Sequence, residues 1–328
     1  MLQASQIILD PVEQLRNDFK KGLQQVDTLI LSSVSASEPL VQNIAKTLIS
    51  AGGKRLRPLL CLASSRLISE FNQNSISLAA AVELIHAATL LHDDVVDESP
   101  LRRGQQTANM IWGNKPSILV GDFLFARAFQ LMVNTGDINF LDILATASSK
   151  ISEGEVTQLR CFNSLDLSVD SYLEITEYKT ATLFSAACHT GALAAGADPY
   201  SAQQLSQFGR YFGLMYQVVD DVNDYIMSNR GKSQGDDYRE GKVTLPILLA
   251  YQADTDKSFW HQCFNDDNQP FQKPPFDQVL NRLHKLDAFK KCETIAKFYG
   301  KEAQKCLASF SNDVSYLMQM LVESYFAC

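Results

Sequence analysis

The chain has 328 residues, of which 46% are hydrophobic and 20% are charged, a composition typical of soluble globular proteins. Its 29 Lys and Arg residues against 37 Asp and Glu residues give a net charge of −8, which disfavours nucleic acid as a partner. The seven cysteines are scattered and show no CxxC spacing, which disfavours a disulfide framework or a zinc site and favours a reducing compartment.

The start of the chain lacks the features of a targeting segment. It has no basic region followed by a continuous apolar region, as a secretory signal requires, and its acidic residues disfavour a mitochondrial-type leader. We also expect no membrane span, since Glu83 and His86 interrupt the longest apolar segment. These observations predict a soluble, cytoplasmic protein.

Nearly every segment has helical periodicity. Leu40, Ile44 and Leu48 recur at helical spacing before a Gly-Gly pair, and Pro58 is suited to open the next helix. Further helices are expected at about 77–98, 116–136, 137–160, 171–195, 201–228 and 277–327. Strand alternation is nowhere convincing, and the proline-containing segment 254–276 is expected to be a loop. We predict one all-α domain, residues 1–328, forming a single large helical bundle around a central cavity.

The most informative segment is LIHAATLLHDDVVDESPLRRG, residues 84–104. In a helix, His86, Asp93 and Asp97 fall within about 40° of one another, and Asp94 lies about a quarter turn away. Carboxylate oxygens in this arrangement suit Mg²⁺, which binds a few carboxylates together with substrate phosphates. Taken alone, the pattern also fits a solvated acidic helix end.

A second segment repeats this DDxxD pattern after another apolar helical run. Gln217, Asp221 and Asp224 share one helix face, with Asp220 near its edge. Two such faces placed opposite each other would form a cage for several Mg²⁺ ions with a diphosphate between them.

Basic residues occur in two polar segments. GGKRLR, residues 52–57, places three cations between two helices, and its arginines can bind a diphosphate bidentately. Residues 231–242 are rich in glycine and charge and too polar to be core, which fits a plain surface turn, while their resemblance to a known family described below implies a mobile flap. Either basic segment could be simple surface charge, and His86 alone could be a core histidine.

Five ordered motifs resemble the trans-isoprenyl diphosphate synthases, over residues 39–309. They are GGKRLRP (52–58), LLHDDVVDESPLRRG (90–104), KTATLF (179–184), YQVVDDVND (216–224) and GKSQGDDYREGKVTLP (231–246). The long-chain members look closest. The resemblance implies the isoprenoid synthase fold and a prenyltransferase that condenses isopentenyl diphosphate repeatedly onto an allylic diphosphate such as farnesyl diphosphate. The expected product is an octaprenyl to decaprenyl diphosphate, in all-trans form, for the side chain of a quinone such as ubiquinone.

The resemblance also implies roles for individual residues. The expected Mg²⁺ ligands are Asp93, Asp94, Asp97, Asp220, Asp221 and Asp224. The groups expected to hold isopentenyl diphosphate are Lys54, Arg57, His86 and Arg103, and those for the allylic diphosphate are Arg102, Lys179 and Lys232. Lys179, Thr180 and Gln217 are expected to be catalytic, because oxygens at the last two positions face the forming allylic cation.

Further expectations follow from the same resemblance. A homodimer is common in the family, and membrane contact is expected to be peripheral at most, for product release. Two residues depart from the family pattern: Asn223 stands where an apolar residue is usual, and Tyr238 where leucine is usual. In short-chain relatives, aromatic residues four or five positions before the first aspartate stop elongation. The small Ala88 and Thr89 at these positions predict a long product, although Ala88 could instead serve close helix packing.

Three other functions remain open at this point. A shorter-chain, geranylgeranyl-type synthase would share all five motifs. A terpene cyclase typically mixes Asn, Ser and Glu in its second metal motif and lacks GGKRLRP and the RRG sequence. A non-catalytic subunit of a heteromeric synthase tends to lose aspartates, whereas this chain keeps all six.

Overall fold

The computed structural model describes residues 10–50, 52–102, 104–226, 234–264 and 273–326. Most of these residues are helical, which confirms the all-α prediction. The first helices are α1 (Pro11–Asp18), α2 (Lys20–Ser33), α3 (Pro39–Ser50), α4 (Leu56–Ile68), α5 (Gln73–Val96), α6 (Ala108–Trp112), α7 (Asn114–Val133), α8 (Ile138–Arg160) and α9 (Val169–Thr176). The remaining helices are α10 (Thr182–Ala194), α11 (Pro199–Ile226), α12 (Asp236–Arg239), α13 (Leu245–Ala253), α14 (Lys257–Cys263), α15 (Phe276–Lys285), α16 (Ala288–Cys306) and α17 (Asp313–Ser324).

Three local predictions were wrong. The helix expected over 171–195 is divided, because a π-helix, Glu177–Ala181, lies between α9 and α10. The expected loop at 254–276 contains α14, whose first turn is capped by the Asp256 carboxylate accepting from the Phe259 N–H. A short antiparallel hairpin, β1 (Leu101–Arg102) with β2 (Gln105–Gln106), follows α5 and was not predicted.

The helix carrying the first aspartate motif, α5, is the central helix of the fold. It begins at Gln73 because Asn72 and Ser75 form a capping box, in which each side chain accepts from the backbone N–H of the other. Below the motif, the helix is rich in buried alanine, and it packs against α4, α7 and α10. Its long buried face fixes the position of the aspartates at its C-terminal end.

The helix carrying the second motif, α11, packs closely on α10 and α16. Two glycines permit close contact of α11 with α10 and with the π-helix before it. A Cβ atom on Gly209 would lie 2.4 Å from the Phe184 carbonyl oxygen, and one on Gly213 would lie 2.5 Å from Ala181 Cα. Backbone contact of this kind is open only to glycine, so it sets the separation of the two helices.

Two helices are long and apolar enough to cross a membrane, contrary to the expectation that none would be. They are α5, with a mean hydropathy of 1.4 over its most apolar window, and α7, with 1.3. In α5, 72% of that window is buried inside the protein, as expected of a core helix, against 39% in α7. The difference arises because one side of α7 is exposed.

Candidate active site

The two aspartate motifs face one cavity of about 520 Å³. The helices α5 and α11 both contribute to its wall, together with α8, α9 and the π-helix. The predicted site residues that line it are Arg57, His86, Asp93, Asp97, Arg102, Lys179, Thr180, Gln217, Asp220, Asp221 and Asp224. The structure therefore brings together residues that are far apart in sequence.

The first motif divides between cavity and protein interior. Asp93 and Asp97 line the cavity, on the shared helix face expected from their spacing. Asp94 is only 2% exposed and does not line it. Its carboxylate accepts from Nε and Nη2 of Arg102, each at 2.7 Å. The placement of Asp94 thus differs from the predicted metal-facing position, because the unpredicted hairpin brings Arg102 against it.

All three aspartates of the second motif line the cavity. Asp221 is buried, and its carboxylate accepts from the Tyr172 hydroxyl at 2.5 Å and from Gln217 Nε2 at 2.7 Å. One Asp224 carboxylate oxygen accepts from the Asp237 N–H at 3.2 Å. These bonds orient the carboxylates before any ligand binds.

Burial raises the pKa of two cavity carboxyl groups. The pKa of Asp93 rises to about 7, chiefly through burial and then through the negative charge of Glu155. Burial likewise raises the pKa of Asp221 to about 7, although the hydrogen bonds from Tyr172 and Gln217 act in the opposite direction. Ionised carboxylates are therefore costly in this cavity, and a bound cation would relieve that cost.

The raised pKa values predict how the metal-free protein responds to pH. Because these carboxyls bind protons more tightly when folded, the free energy of unfolding should fall as pH rises from about 4 to about 7. Thermal unfolding in EDTA should give a Tm at about pH 8 that is roughly a few degrees below that at about pH 5. Asp221→Asn should flatten this dependence, whereas Asp313→Asn, at an exposed position, should not. An Asp221→Asn variant with the wild-type pH dependence would contradict this cause.

The carboxylates of the cavity fit a hard cation that is bound together with a substrate phosphate group. Carboxylate oxygens are suitable donors for Mg²⁺ or Ca²⁺. Across the ranges the structure describes, however, no group of three or more His, Cys, Asp or Glu side chains is arranged to hold a metal ion. Substrate phosphate oxygens would complete the coordination, which is the usual mode for Mg²⁺.

Arg57 and His86 lie together at the cavity wall, as predicted. Arg57 Nη1 is 3.3 Å from His86 Nε2, and the guanidinium lies 4.3 Å from the centre of the Phe184 ring. Burial lowers the pKa of Arg57, and its Nε has no hydrogen-bond partner among the described residues. A partly buried cation with an unused buried donor is well suited to an anionic ligand.

The other cations of this loop lie elsewhere. Lys54 does not line the cavity, and its ammonium lies 5.9 and 5.6 Å from the ring centres of Tyr216 and Tyr325. Arg55 forms ion pairs with Glu83 and, at 3.5 Å, with Asp27, so it has a structural role. The loop therefore supplies one cavity cation directly rather than three.

Lys179 and Thr180 enter the cavity from the π-helix. The Lys179 ammonium lies 2.7 Å from a Glu155 carboxylate oxygen and also donates to Gln158. Thr180 Oγ1 donates to Gln217 Oε1 at 2.9 Å, so the two polar groups predicted to face the same cation are in contact. Across the cavity, Lys242 pairs with Asp97 at 2.7 Å and with Glu240 at 2.9 Å.

A family model for polyprenyl synthetase matches residues 38–278. The chain belongs to the polyprenyl synthetase family. It is 39% identical over 246 residues to the octaprenyl diphosphate synthase of Escherichia coli (strain K12), covering 74% of this chain and 76% of that relative. It is 43% identical over 250 residues to the all-trans-nonaprenyl-diphosphate synthase (geranyl-diphosphate specific) of Rhodobacter capsulatus, covering 75% and 74%.

Solved structures extend the likeness over the whole polyprenyl synthetase fold. A polyprenyl synthase from Caulobacter crescentus CB15, complexed with calcium and isoprenyl diphosphate, has a TM-score of 0.92 and 42% identity, covering 97% of this chain and 98% of that one. A decaprenyl diphosphate synthase from Rhodobacter capsulatus has a TM-score of 0.91 and 38% identity, covering 96% and 98%. The isoprenoid synthase fold is thereby confirmed.

Two predicted site residues of this polyprenyl synthetase, Arg103 and Lys232, lie outside the described residues. The cavity residues that the sequence analysis missed include Glu155, Gln158, Tyr172 and Lys242. Glu155 and Gln158 are three residues apart on one face of α8, a weak signal that many surface helices share. Lys242 belongs to a recognised motif, but nothing in that motif indicates that it reaches Asp97.

The two departures from the family pattern have different surroundings. Asn223 lines the cavity beside the second motif. Tyr238 is buried, and its hydroxyl donates to the Pro274 carbonyl at 2.6 Å while its ring packs on Phe264 and Phe276. Tyr238 therefore anchors the segment after the second motif to α15.

Proposed function

We propose that this chain is a Mg²⁺-dependent long-chain trans-polyprenyl diphosphate synthase that adds isopentenyl diphosphate repeatedly to an allylic diphosphate such as farnesyl diphosphate. The observation that carries the proposal is the shared cavity, which is lined by aspartates of both motifs together with the cations of Arg57 and Lys179. The similar octaprenyl and nonaprenyl diphosphate synthases support the reaction type and a long product.

The allylic diphosphate is assigned to the aspartate end of the cavity. Bound Mg²⁺ would neutralise the charge that develops on the leaving diphosphate as its C–O bond breaks. Asp93, Asp97, Asp220, Asp221 and Asp224 would hold the metal at the cavity surface, with Asp221 oriented by Tyr172 and with Asp94 fixed behind them by Arg102. Lys179 would bind the same diphosphate, exchanging its present contacts with Glu155 and Gln158 for phosphate oxygens.

The polar pair Thr180 and Gln217 is assigned to the allylic cation. Their oxygens are fixed by a mutual hydrogen bond, and fixed dipoles of this kind stabilise developing positive charge without reorganising. Arg57 and His86, with Lys54 nearby, would hold isopentenyl diphosphate so that its double bond faces the cation. The released diphosphate is the proposed base for the final proton.

Homodimerisation is proposed on the exposed face of α7 and α8. The window of α7 that is apolar enough for a membrane is only 39% buried. Large apolar side chains exposed on these helices are Ile118, Leu119, Phe129, Val133, Ile138, Val156 and Leu159. Several large exposed apolar side chains on neighbouring helices commonly mark an interface, and a two-fold dimer would cover both copies at once. A cytoplasmic location and a role in ubiquinone biosynthesis complete the proposal.

Incubation with radiolabelled isopentenyl diphosphate and an allylic primer tests this function. We expect incorporation into a linear prenyl diphosphate that requires both substrates, stops with EDTA and returns with Mg²⁺. A cyclised hydrocarbon would indicate a terpene cyclase. No product from the purified chain would indicate a non-catalytic subunit.

The two substrate positions are tested through Arg57. Arg57→Ala should raise KM for isopentenyl diphosphate by about tenfold or more and leave KM for the primer nearly unchanged. The reason is that the partly buried Arg57 guanidinium is assigned to isopentenyl diphosphate alone. Lys54→Ala should act in the same direction but more weakly, since its ammonium lies over two tyrosine rings outside the cavity lining. Steady-state kinetics with each substrate varied in turn will measure both constants. A rise in the primer KM instead would show that the two positions are reversed.

A further inference from the structure

The π-helix controls the direction of two proposed catalytic side chains. A π turn holds one more residue than an α turn, is rare, and frequently occurs at functional sites. In this one, the Glu177 carbonyl oxygen accepts from both the backbone N–H and, at 2.9 Å, the Oγ1 of Thr182. Conversion to an α turn would rotate one flank by about 100° relative to the other. The register of this turn therefore decides whether Lys179 and Thr180 face the cavity.

An ion pair outside the cavity fixes the first residue of the π-helix. Arg210 on α11 donates from Nε to Glu177 Oε1 and from Nη2 to Glu177 Oε2, each at 2.6 Å. This bidentate arrangement is the most directional form of an arginine–carboxylate pair. The two side chains line a separate cleft of about 270 Å³ and are 34% and 30% exposed. An ion pair this exposed contributes little to stability on average, so stability alone does not account for its bidentate geometry.

The π-helix and α11 are also joined inside the cavity. Gln217 accepts from Thr180 and lies seven residues after Arg210, which places both on nearly one face of α11. Gly213 lies between them, and its lack of a side chain allows α11 to touch Ala181 directly. The π-helix is therefore fixed against one face of α11 at two side-chain contacts, with a close backbone contact between them.

We propose that Glu177 and Arg210 are positioning residues for prenyl transfer, whose ion pair holds the π-helix in the register that presents Lys179 and Thr180 to the allylic substrate. This inference rests on the proposed function. Loss of the pair should slow the chemical step. It should not weaken the isopentenyl diphosphate position, because Arg57 and His86 belong to α4 and α5.

Steady-state kinetics of Glu177→Gln and Arg210→Gln test the proposal on the full-length protein. Each variant should lower kcat by about tenfold and leave KM for isopentenyl diphosphate unchanged. The matched control is Glu293→Gln, which removes an exposed ion pair with Lys297 on α16 and should keep wild-type kinetics. If the wild type is active and both Glu177→Gln and Arg210→Gln have the wild-type kcat, the inference is overturned and the proposed function stands. A wild type without product would contradict the proposed function and this inference with it.

A double-mutant cycle separates positioning from general loss of folded protein. If Glu177 acts through Thr180, the tenfold loss caused by Glu177→Gln should shrink to about threefold or less in a Thr180→Val chain. A merely structural defect would multiply with Thr180→Val and give the full tenfold again, which would overturn the proposal. Thermal unfolding of all four chains ensures that each assay is run well below the Tm.

Discussion

Asp93→Ala and Asp220→Ala are each expected to lower kcat by about 10²-fold or more, which corresponds to roughly 2.7 kcal/mol of lost transition-state stabilisation. Each change removes one carboxylate from the cavity end assigned to the allylic diphosphate. The charge that develops when the C–O bond breaks would then be less well compensated. Rates of product formation at saturating substrate and Mg²⁺ will measure the effect.

A conservative acidic control accompanies these variants. Asp313→Asn removes an exposed carboxylate from the first turn of α17, far in sequence from both motifs, and should leave kcat unchanged. Wild-type rates in Asp93→Ala or Asp220→Ala would contradict the assignment of both aspartate faces to catalysis. Asp94→Ala should be compared with these variants, because the Asp94 carboxylate does not line the cavity and pairs with Arg102 instead.

Thr89→Phe is expected to shorten the product from a long chain to a few isoprene units while the first condensation continues. Thr89 lines the cavity one turn before Asp93, and a growing chain whose diphosphate is held at the aspartates must pass it. Thr89→Val is the matched control, since it keeps the volume and removes a hydroxyl that, among the described residues, donates to the His86 carbonyl of its own helix. Product lengths will be read by thin-layer chromatography. Full-length product at the normal rate from Thr89→Phe would contradict this path.

Ala88→Phe tests which path the growing prenyl chain takes beyond the cavity. The structure places Ala88 in the fully buried packing of α5 and not on the cavity lining, so its predicted role in product length stays a prediction. A long product exceeds the cavity, and small buried residues are where neighbouring helices can separate to admit it. We therefore expect Ala88→Phe to shorten the product as well. If Ala88 serves only close packing, overpacking by about 1–3 kcal/mol should instead lower all activity together without changing product length.

Much of the site was predictable because it depends on local helix geometry. The spacing of His86, Asp93 and Asp97 places them on one face of any regular helix, and all three line the cavity. That α5 and α11 line one cavity depends on long-range packing, including the glycine contacts of α11 with α10 and the π-helix, and helical spacing alone does not encode this packing. That part of the prediction came from the family resemblance.

The contacts that were not foreseen share a physical cause, which is that side chains find their partners on other elements. Arg102 forms an ion pair with Asp94 because a short hairpin follows α5, and Arg55 forms one with Glu83 on a neighbouring helix. The π-helix has no sequence signal of its own, so neither its register nor the Arg210 contact with Glu177 was foreseen. Helical periodicity therefore located the elements but could not assign each charge to its partner.

The central claim is tested most directly by the mass of the product that the purified chain makes from farnesyl diphosphate, isopentenyl diphosphate and Mg²⁺. Mass spectrometry of the dephosphorylated product should show linear, all-trans polyprenols in the octaprenyl to decaprenyl range, and none when EDTA is present. A product that ends at geranylgeranyl length would contradict long-chain synthesis. A cyclic hydrocarbon, or no product with both substrates and Mg²⁺ present, would contradict polyprenyl diphosphate synthesis by this cavity altogether.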